Sequence, residues 1–197
     1  MEIYKPLVFD FEESEFFYAT LESYFVDKIL EINGENGAVR LALAGGTTPM
    51  PIYSTLVNSS SLPLDKIEIY QTDERFVDKK EETSNQKKIL QALGPDVSSE
   101  IGELNFINTA LPIVQAIKDY DEKLSSLDSD GGLFDLVILG IGPDGHIASL
   151  FPGGEYLKHQ DKLAIETIAP SEFEVARRVS LTLEALLNSK EINCEAI

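Results

Sequence analysis

The sequence predicts an α/β protein in which a sheet of buried strands carries helices on both faces. Three observations predict it. Short apolar, β-branched runs alternate along the chain with segments whose apolar residues recur at helical spacing. Two of the runs, Leu41–Ala44 and Leu136–Leu139, are apolar throughout, as strands covered on both faces are. The 197 residues, 43% of them hydrophobic, suffice for a sizeable core and contain no repeat, low-complexity tract or convincing linker. One domain spanning residues 1–197 is therefore expected. In sheets of this kind ligands bind beyond the carboxyl ends of the strands, which directs attention to the loops that follow them.

Taken in order, the first element is a helix. Phe16, Phe17, Leu21, Tyr24, Phe25, Ile29 and Ile32 recur at intervals near three and four, and Gly34 is its expected stop. Strands are expected at Val39–Ala44, Ile67–Thr72, Leu104–Asn108, Phe134–Gly140, Leu163–Ile168 and Arg178–Leu183. Residues 49–58 and 84–93 read as short helices. A longer amphipathic helix runs from Ile113 to Leu127 and is ended by the turn cluster Asp128–Gly132.

The charge excludes several function classes. With 16 Lys and Arg against 34 Asp and Glu, the net charge is −18. Such a chain repels nucleic-acid phosphates and anionic membranes, so any anionic ligand must be held by a few local cations and backbone amides. Only four arginines are available: Arg40, Arg75, Arg177 and Arg178. One cysteine, Cys194, excludes an internal disulfide, and two histidines, His146 and His159, disfavour a multi-histidine metal site. Residues Met1–Pro6 show no secretory pattern, and no apolar run approaches the roughly 20 residues that span a bilayer. The expected compartment is the cytoplasm.

Four loops carry chemistry. Ala44-Gly45-Gly46-Thr47-Thr48-Pro49 joins a buried strand to a helix start, where free amides and two hydroxyls suit an anion; an ordinary threonine-capped turn would read the same way. It is neither a Walker loop nor GxGxxG. Asp73-Glu74-Arg75 ends the second strand and is either a shared ionisable crevice or a solvated turn. Downstream, Ser84 or Asn85 reads as a helix cap, with ligand contact by Asn85 the weaker alternative. The sharpest signal is Gly140-Ile141-Gly142-Pro143-Asp144-Gly145-His146, in which a glycine-rich turn presents an imidazole at the sheet edge. Histidine is the side chain best suited to proton transfer near neutral pH, and Asp144 could orient its ring or cap the loop. His159 lacks such a context and is expected on the surface. Finally, Arg177-Arg178 opens the late strand, either as a phosphate clamp or as a charged strand end paired with Glu172 or Glu174.

Together these motifs resemble the 6-phosphogluconolactonases across roughly residues 38–188. The resemblance rests on Gly45-Gly46-Thr47-Thr48-Pro49 with Tyr53 and Leu56, on Asp73-Glu74-Arg75 with Ser84-Asn85, on residues 140–152 ending Ser149-Leu150-Phe151-Pro152, and on Arg178-Val179-Ser180-Leu181-Thr182-Leu183. The related glucosamine-6-phosphate deaminases carry a ring-opening glutamate where Phe151 stands and a tyrosine where Arg75 stands. The resemblance implies a modified Rossmann-like, mostly parallel sheet. It also implies metal-independent, cofactor-free hydrolysis of 6-phospho-D-glucono-1,5-lactone in the pentose phosphate pathway, with a small phosphorylated sugar lactone as partner and neither nucleic acid nor membrane. His146 would be the general base, assisted by Asp144; Asp73 and Arg75 would line the pocket; Gly45, Gly46, Thr47, Thr48 and Arg178 would hold the phosphate. Family members continue past the late strand with another strand, a Gly-x-x-Lys element and a helix. Here only Ile192–Ile197 resembles the start of that strand, so the C-terminal strand and helix are expected to be missing, and the family's Pro-Pro before the late strand is replaced by Ser171-Glu172-Phe173-Glu174. Two alternatives remain: a sugar-phosphate deaminase or isomerase, and a sugar-phosphate-binding module impaired in turnover.

Overall fold

The computed structural model describes residues 8–127, 132–158 and 161–195. Its first element, α1 (Ser14–Asn36), buries Phe25, Ile29 and Ile32 along one stripe, the spacing from which a helix is expected. The helix runs through Gly34 and ends at Gly37 instead. There φ is 76° and the amide reaches back to the Asn33 carbonyl at 3.0 Å, a left-handed turn that favours glycine.

The chain continues through β1 (Val39–Leu43), α2 (Met50–Asn58), β2 (Ile67–Gln71), β3 (Asp73–Arg75), α3 (Asn85–Leu93), α4 (Pro95–Glu100) and β4 (Glu103–Asn105). Then follow α5 (Ile113–Ser125), β5 (Phe134–Gly140), β6 (Ala164–Ile168), β7 (Arg177–Leu181), α6 (Leu183–Leu187) and β8 (Ser189–Glu195). Five strands form a parallel sheet in the order β4-β2-β1-β5-β8. Side-chain alternation divides its faces. Leu41, Leu43, Ile67, Ile69, Leu136 and Ile138 pack with α1, α2 and α3, whereas Ala42, Tyr70, Val137 and Leu139 pack with α5 and α6. Each fully buried large apolar side chain contributes about 1.5–3 kcal/mol, so this two-sided burial is the main source of stability.

The late strand does not join that sheet. β3, β7 and β6 form a second, antiparallel sheet. Thr72 is the junction: its amide donates to Leu43 O in the first sheet at 3.1 Å, and its carbonyl accepts from the Leu181 amide in the second at 2.8 Å. Local alternation identifies β6 and β7 as strands but says nothing about their partners. Other boundaries move for identifiable reasons. β4 stops at Asn105 because the Ile107 amide donates to Gln71 Oε1 at 2.8 Å rather than to a strand. β7 stops at Leu181 because Thr182 caps α6, its Oγ1 accepting from the Ala185 amide at 3.1 Å. Ser189–Glu195, of which only a beginning is expected from the sequence, is a full seven-residue strand paired along β5. His159 and all of the Asp128–Gly132 cluster except Gly132 lie outside the described residues.

The order places β2 and β4 on one side of β1 and β5 and β8 on the other. The loops after β1 and β5 therefore face each other where the direction of winding reverses, the position at which open α/β sheets form a crevice. Among the described residues, no helix is long and apolar enough to cross a membrane.

Candidate active site

At this reversal lies a cleft of about 170 Å³, lined by residues from both sheets. Gly46, Thr47 and Thr48 come from the loop after β1, Asp73 and Arg75 from β3, Gly142 and His146 from the loop after β5, and Arg178 from β7. A larger cleft of about 470 Å³ lies between α5 and β6, but its acidic groups are engaged elsewhere. Asp121 accepts from the Leu163 and Ala164 amides, and Glu166 accepts from Arg177 Nε.

The histidine loop is a tight hairpin, closed by the Gly142 amide on His146 O at 2.8 Å and the Gly145 amide on Gly142 O at 2.9 Å. His146 Nδ1 lies 2.5 Å from Asp144 Oδ1, and the His146 amide donates to the same oxygen at 3.2 Å. Asp144 thus orients the ring and caps the loop at once. It does not line the cleft but stands behind the imidazole. What little burial it has works to raise its carboxyl, but the bonds from His146 outweigh this and hold it below the usual range. Gly142 is required by close approach, since a Cβ there would collide with the His146 ring and Asp144 Oδ1. Phe151 packs on the imidazole at 4.7 Å between centroids and Phe173 meets it edge-on at 5.5 Å.

Asp73 is 5% exposed, and its carboxylate is held from two sides. Thr72 Oγ1 donates to Oδ1 at 3.2 Å and Ser149 Oγ to Oδ2 at 2.6 Å. Ser149, fully buried, also donates its amide to Ser180 Oγ at 3.2 Å. One residue thereby ties the histidine loop to β3 and β7. It follows Ala148, whose φ of 49° is the only positive value at a non-glycine among the described residues.

Glu74 does not share the crevice. Strand alternation turns it away from Asp73 and Arg75 to the start of α3, where it accepts from the Asn85 amide at 2.6 Å, the Gln86 amide at 2.7 Å and Gln71 Nε2 at 2.8 Å. Burial pushes its carboxyl up while these donors hold it down. Ser84 is the cap of α3, its hydroxyl accepting from the Lys87 amide. Asn85 reaches the other way, donating Nδ2 to Asp73 O at 2.9 Å and packing so closely on Gly45 that a Cβ there would collide with it. Gly45 therefore does not line the cleft; it makes room for Asn85.

Arg75 and Arg178 are direct cross-strand partners on β3 and β7, with Asp73 one turn of the pleat away. Placing two guanidinium groups opposite one another costs energy unless an anion joins them. Desolvation lowers the Arg178 pKa, and Arg75 lowers it further. Arg178 Nε donates to Val175 O at 2.8 Å, and Arg75 Nη1 to Thr83 O at 2.9 Å, while Arg75 Nε is buried with no partner among the described residues. Lys88 is drawn into the same cationic group, its ammonium depressed by desolvation and by Arg75. Arg177, by alternation, points outward to Glu166 at 2.8 Å rather than to Glu172 or Glu174, and its guanidinium lies over Phe76.

Sequence reasoning located His146, Asp144, Asp73, Arg75, Arg178, Gly46, Thr47 and Thr48 at this site, all but Asp144 lining the cleft. It missed Ser149 and Phe173 as members. Ser149 lies three residues after His146 in the same motif, which is a usable signal. Phe173 meets its partners only through tertiary folding and carries no local signal.

Comparison with known proteins supplies context for this geometry. Residues 12–196 match the family described as glucosamine-6-phosphate isomerases/6-phosphogluconolactonase. The chain is 34% identical over 165 residues to a 6-phosphogluconolactonase of Thermotoga maritima, which covers 83% of this chain and 70% of that protein. It is 33% identical over 186 residues to one from Caulobacter vibrioides, covering 89% and 76%. A crystal structure of the Thermotoga maritima protein superposes with a TM-score of 0.77 at 30% identity, over 90% of this chain and 78% of that one. A structure of the Trypanosoma brucei 6-phosphogluconolactonase gives 0.83 at 24% identity over 98% and 82%, a likeness of fold.

Proposed function

The chain belongs to the family of glucosamine-6-phosphate isomerases and 6-phosphogluconolactonases, and on that footing we propose that it hydrolyses 6-phospho-D-glucono-1,5-lactone with His146 as general base. The observation that carries this reading is the union, in one cleft, of an oriented imidazole with a cross-strand arginine pair. Asp144 accepts a hydrogen bond from Nδ1–H, which leaves the Nε2 lone pair to take a proton from water as its oxygen bonds to the lactone carbonyl carbon. Electrons displaced onto the carbonyl oxygen are stabilised by the positive charge of Arg75, which lines the cleft. Collapse of the adduct breaks the bond to the ring oxygen, which takes the proton back from the imidazolium. The open-chain acid then ionises in solution.

Arg178, with Gly46, Thr47, Thr48 and the N-terminus of α2 behind them, holds the 6-phosphate. Asp73, locked by Thr72 and Ser149, accepts from sugar hydroxyls. A lactone is an activated ester, so the chemistry requires neither a covalent nucleophile nor a metal. The compartment we assign is the cytoplasm, which suits a single free cysteine. Deamination of glucosamine 6-phosphate is disfavoured because Phe151, not a carboxylate, packs against the imidazole.

The test is formation of 6-phosphogluconate from the lactone by the purified chain, with spontaneous hydrolysis subtracted. Wild type accelerates it, and His146→Ala loses about 100-fold or more while still binding 6-phosphogluconate. Binding by wild type without acceleration selects a sugar-phosphate-binding module. Full activity in His146→Ala removes the proton-transfer role.

A further inference from the structure

Phe173 stands between the two functional ends of the cleft. It is carried by the connection from β6 to β7, which is closed by the Ala169 amide on Ala176 O at 2.8 Å and braced by the Phe173 amide on Pro170 O at 3.0 Å. Its ring meets His146 at 5.5 Å and 85°, packs on Phe151 at 5.2 Å, and lies under the Arg178 guanidinium, with Cζ 5.8 Å from the ring centroid. Phe173 belongs to neither hydrophobic core, stays partly exposed and lines the cleft. Its ring is therefore placed by the site, not by the packing of the fold.

The two ends depend on it unequally. The imidazole has other supports, namely Asp144 on Nδ1 and Phe151 on its ring. Among the described residues the Arg178 head has a single hydrogen bond, from Nε to Val175 O, and it faces repulsion from Arg75 across the strand pair. The carboxylates of Asp73 and Glu74 attract the guanidinium, and the negative face of the Phe173 ring is the surface that lies against it and keeps it turned into the cleft.

We propose that Phe173 is a specificity-determining residue that fixes Arg178 at a set span from His146, so that the cleft favours lactones bearing a phosphate over lactones without one. This rests on the lactonase reading above. It commits Phe173 to phosphate recognition rather than to proton transfer.

The experiment compares wild type with Phe173→Leu, Phe173→Met and Phe173→Tyr in the full chain. The substrates are 6-phosphoglucono-1,5-lactone and glucono-1,5-lactone, and inorganic phosphate serves as a competitive inhibitor and as a ligand in thermal shift. Losing the aromatic face should lower kcat/KM for the phosphorylated lactone about tenfold, mainly through KM, and weaken phosphate inhibition in step. The unphosphorylated lactone should lose a clearly smaller factor than the phosphorylated one, and tyrosine should restore both properties. Equal losses on both lactones, no loss on either, or failure of tyrosine to rescue would overturn the proposal. If wild type accelerates neither lactone, the lactonase reading falls; the phosphate-induced thermal shift of wild type against Phe173→Leu then still decides the role of Phe173.

Discussion

Replacing Glu195 with glutamine should stabilise the protein above neutral pH. Glu195 ends β8, is 3% exposed, and has both carboxylate oxygens buried without a hydrogen-bond partner among the described residues. Burial pushes its carboxyl up to about 7 from an ordinary 4.5. The folded state then holds its proton while the unfolded chain releases it, so stability falls as pH rises from about 4.5 to about 7 and the penalty is constant above. The difference of about 2.5 units corresponds to about 3 kcal/mol at pH 8.5. For a chain of this length that is roughly 6–12 °C in Tm. Glutamine keeps the shape, carries no charge, and should recover most of that amount. Thermal unfolding of both forms at pH 8.5 and 5.5 tests it, the gain shrinking to less than half at the lower pH. An equal gain at both values, or none at pH 8.5, refutes the assignment of a buried, unpaired carboxylate.

Four further outcomes follow from the site. Asp144→Asn, which removes the charge behind the imidazole, should lower kcat about tenfold or more with little change in KM, measured by lactone turnover. Ser149→Ala leaves Asp73 Oδ2 without its donor in a fully buried position and should cost about 1–3 kcal/mol in denaturant unfolding, with a matching fall in turnover. Gly142→Ala should spare Tm but reduce turnover at least about tenfold, because the new methyl displaces the His146 ring from a turn outside both cores. Inorganic phosphate at ten times its Kd should raise Tm by roughly 3–5 °C by relieving the Arg75–Arg178 repulsion, and Arg178→Gln should abolish the shift.

Much of this arrangement is legible in the sequence where local pattern decides it. β1 and β5 can be read because strands buried on both faces carry unbroken apolar runs, here Leu41–Ala44 and Leu136–Leu139, and the glycine loops after them then fall at one edge of a parallel sheet. The second sheet cannot be read, since β6 and β7 alternate like any half-buried strands and their antiparallel pairing with β3 is a non-local choice. The same limit explains the arginines. Alternation puts Arg177 and Arg178 on opposite faces, but which face is inward depends on β3 lying beside β7. Glu74 is misleading for a related reason, because a carboxylate at a strand end looks available until the start of α3 folds onto it.

Thr72 has a consequence for motion. The cleft walls belong to different sheets, and one residue rivets them together, its amide to β1 and its carbonyl to the end of β7. Tyr120 clamps the preceding residue, accepting from the Gln71 amide and donating to its carbonyl. Sliding one sheet over the other would rupture these buried bonds together, so shear is closed to this enzyme as a way of admitting substrate. Substrate must then pass over the rim formed by the 44–48 loop and the β6–β7 connection, and the deep wall that bears Asp73 acts as a fixed anvil.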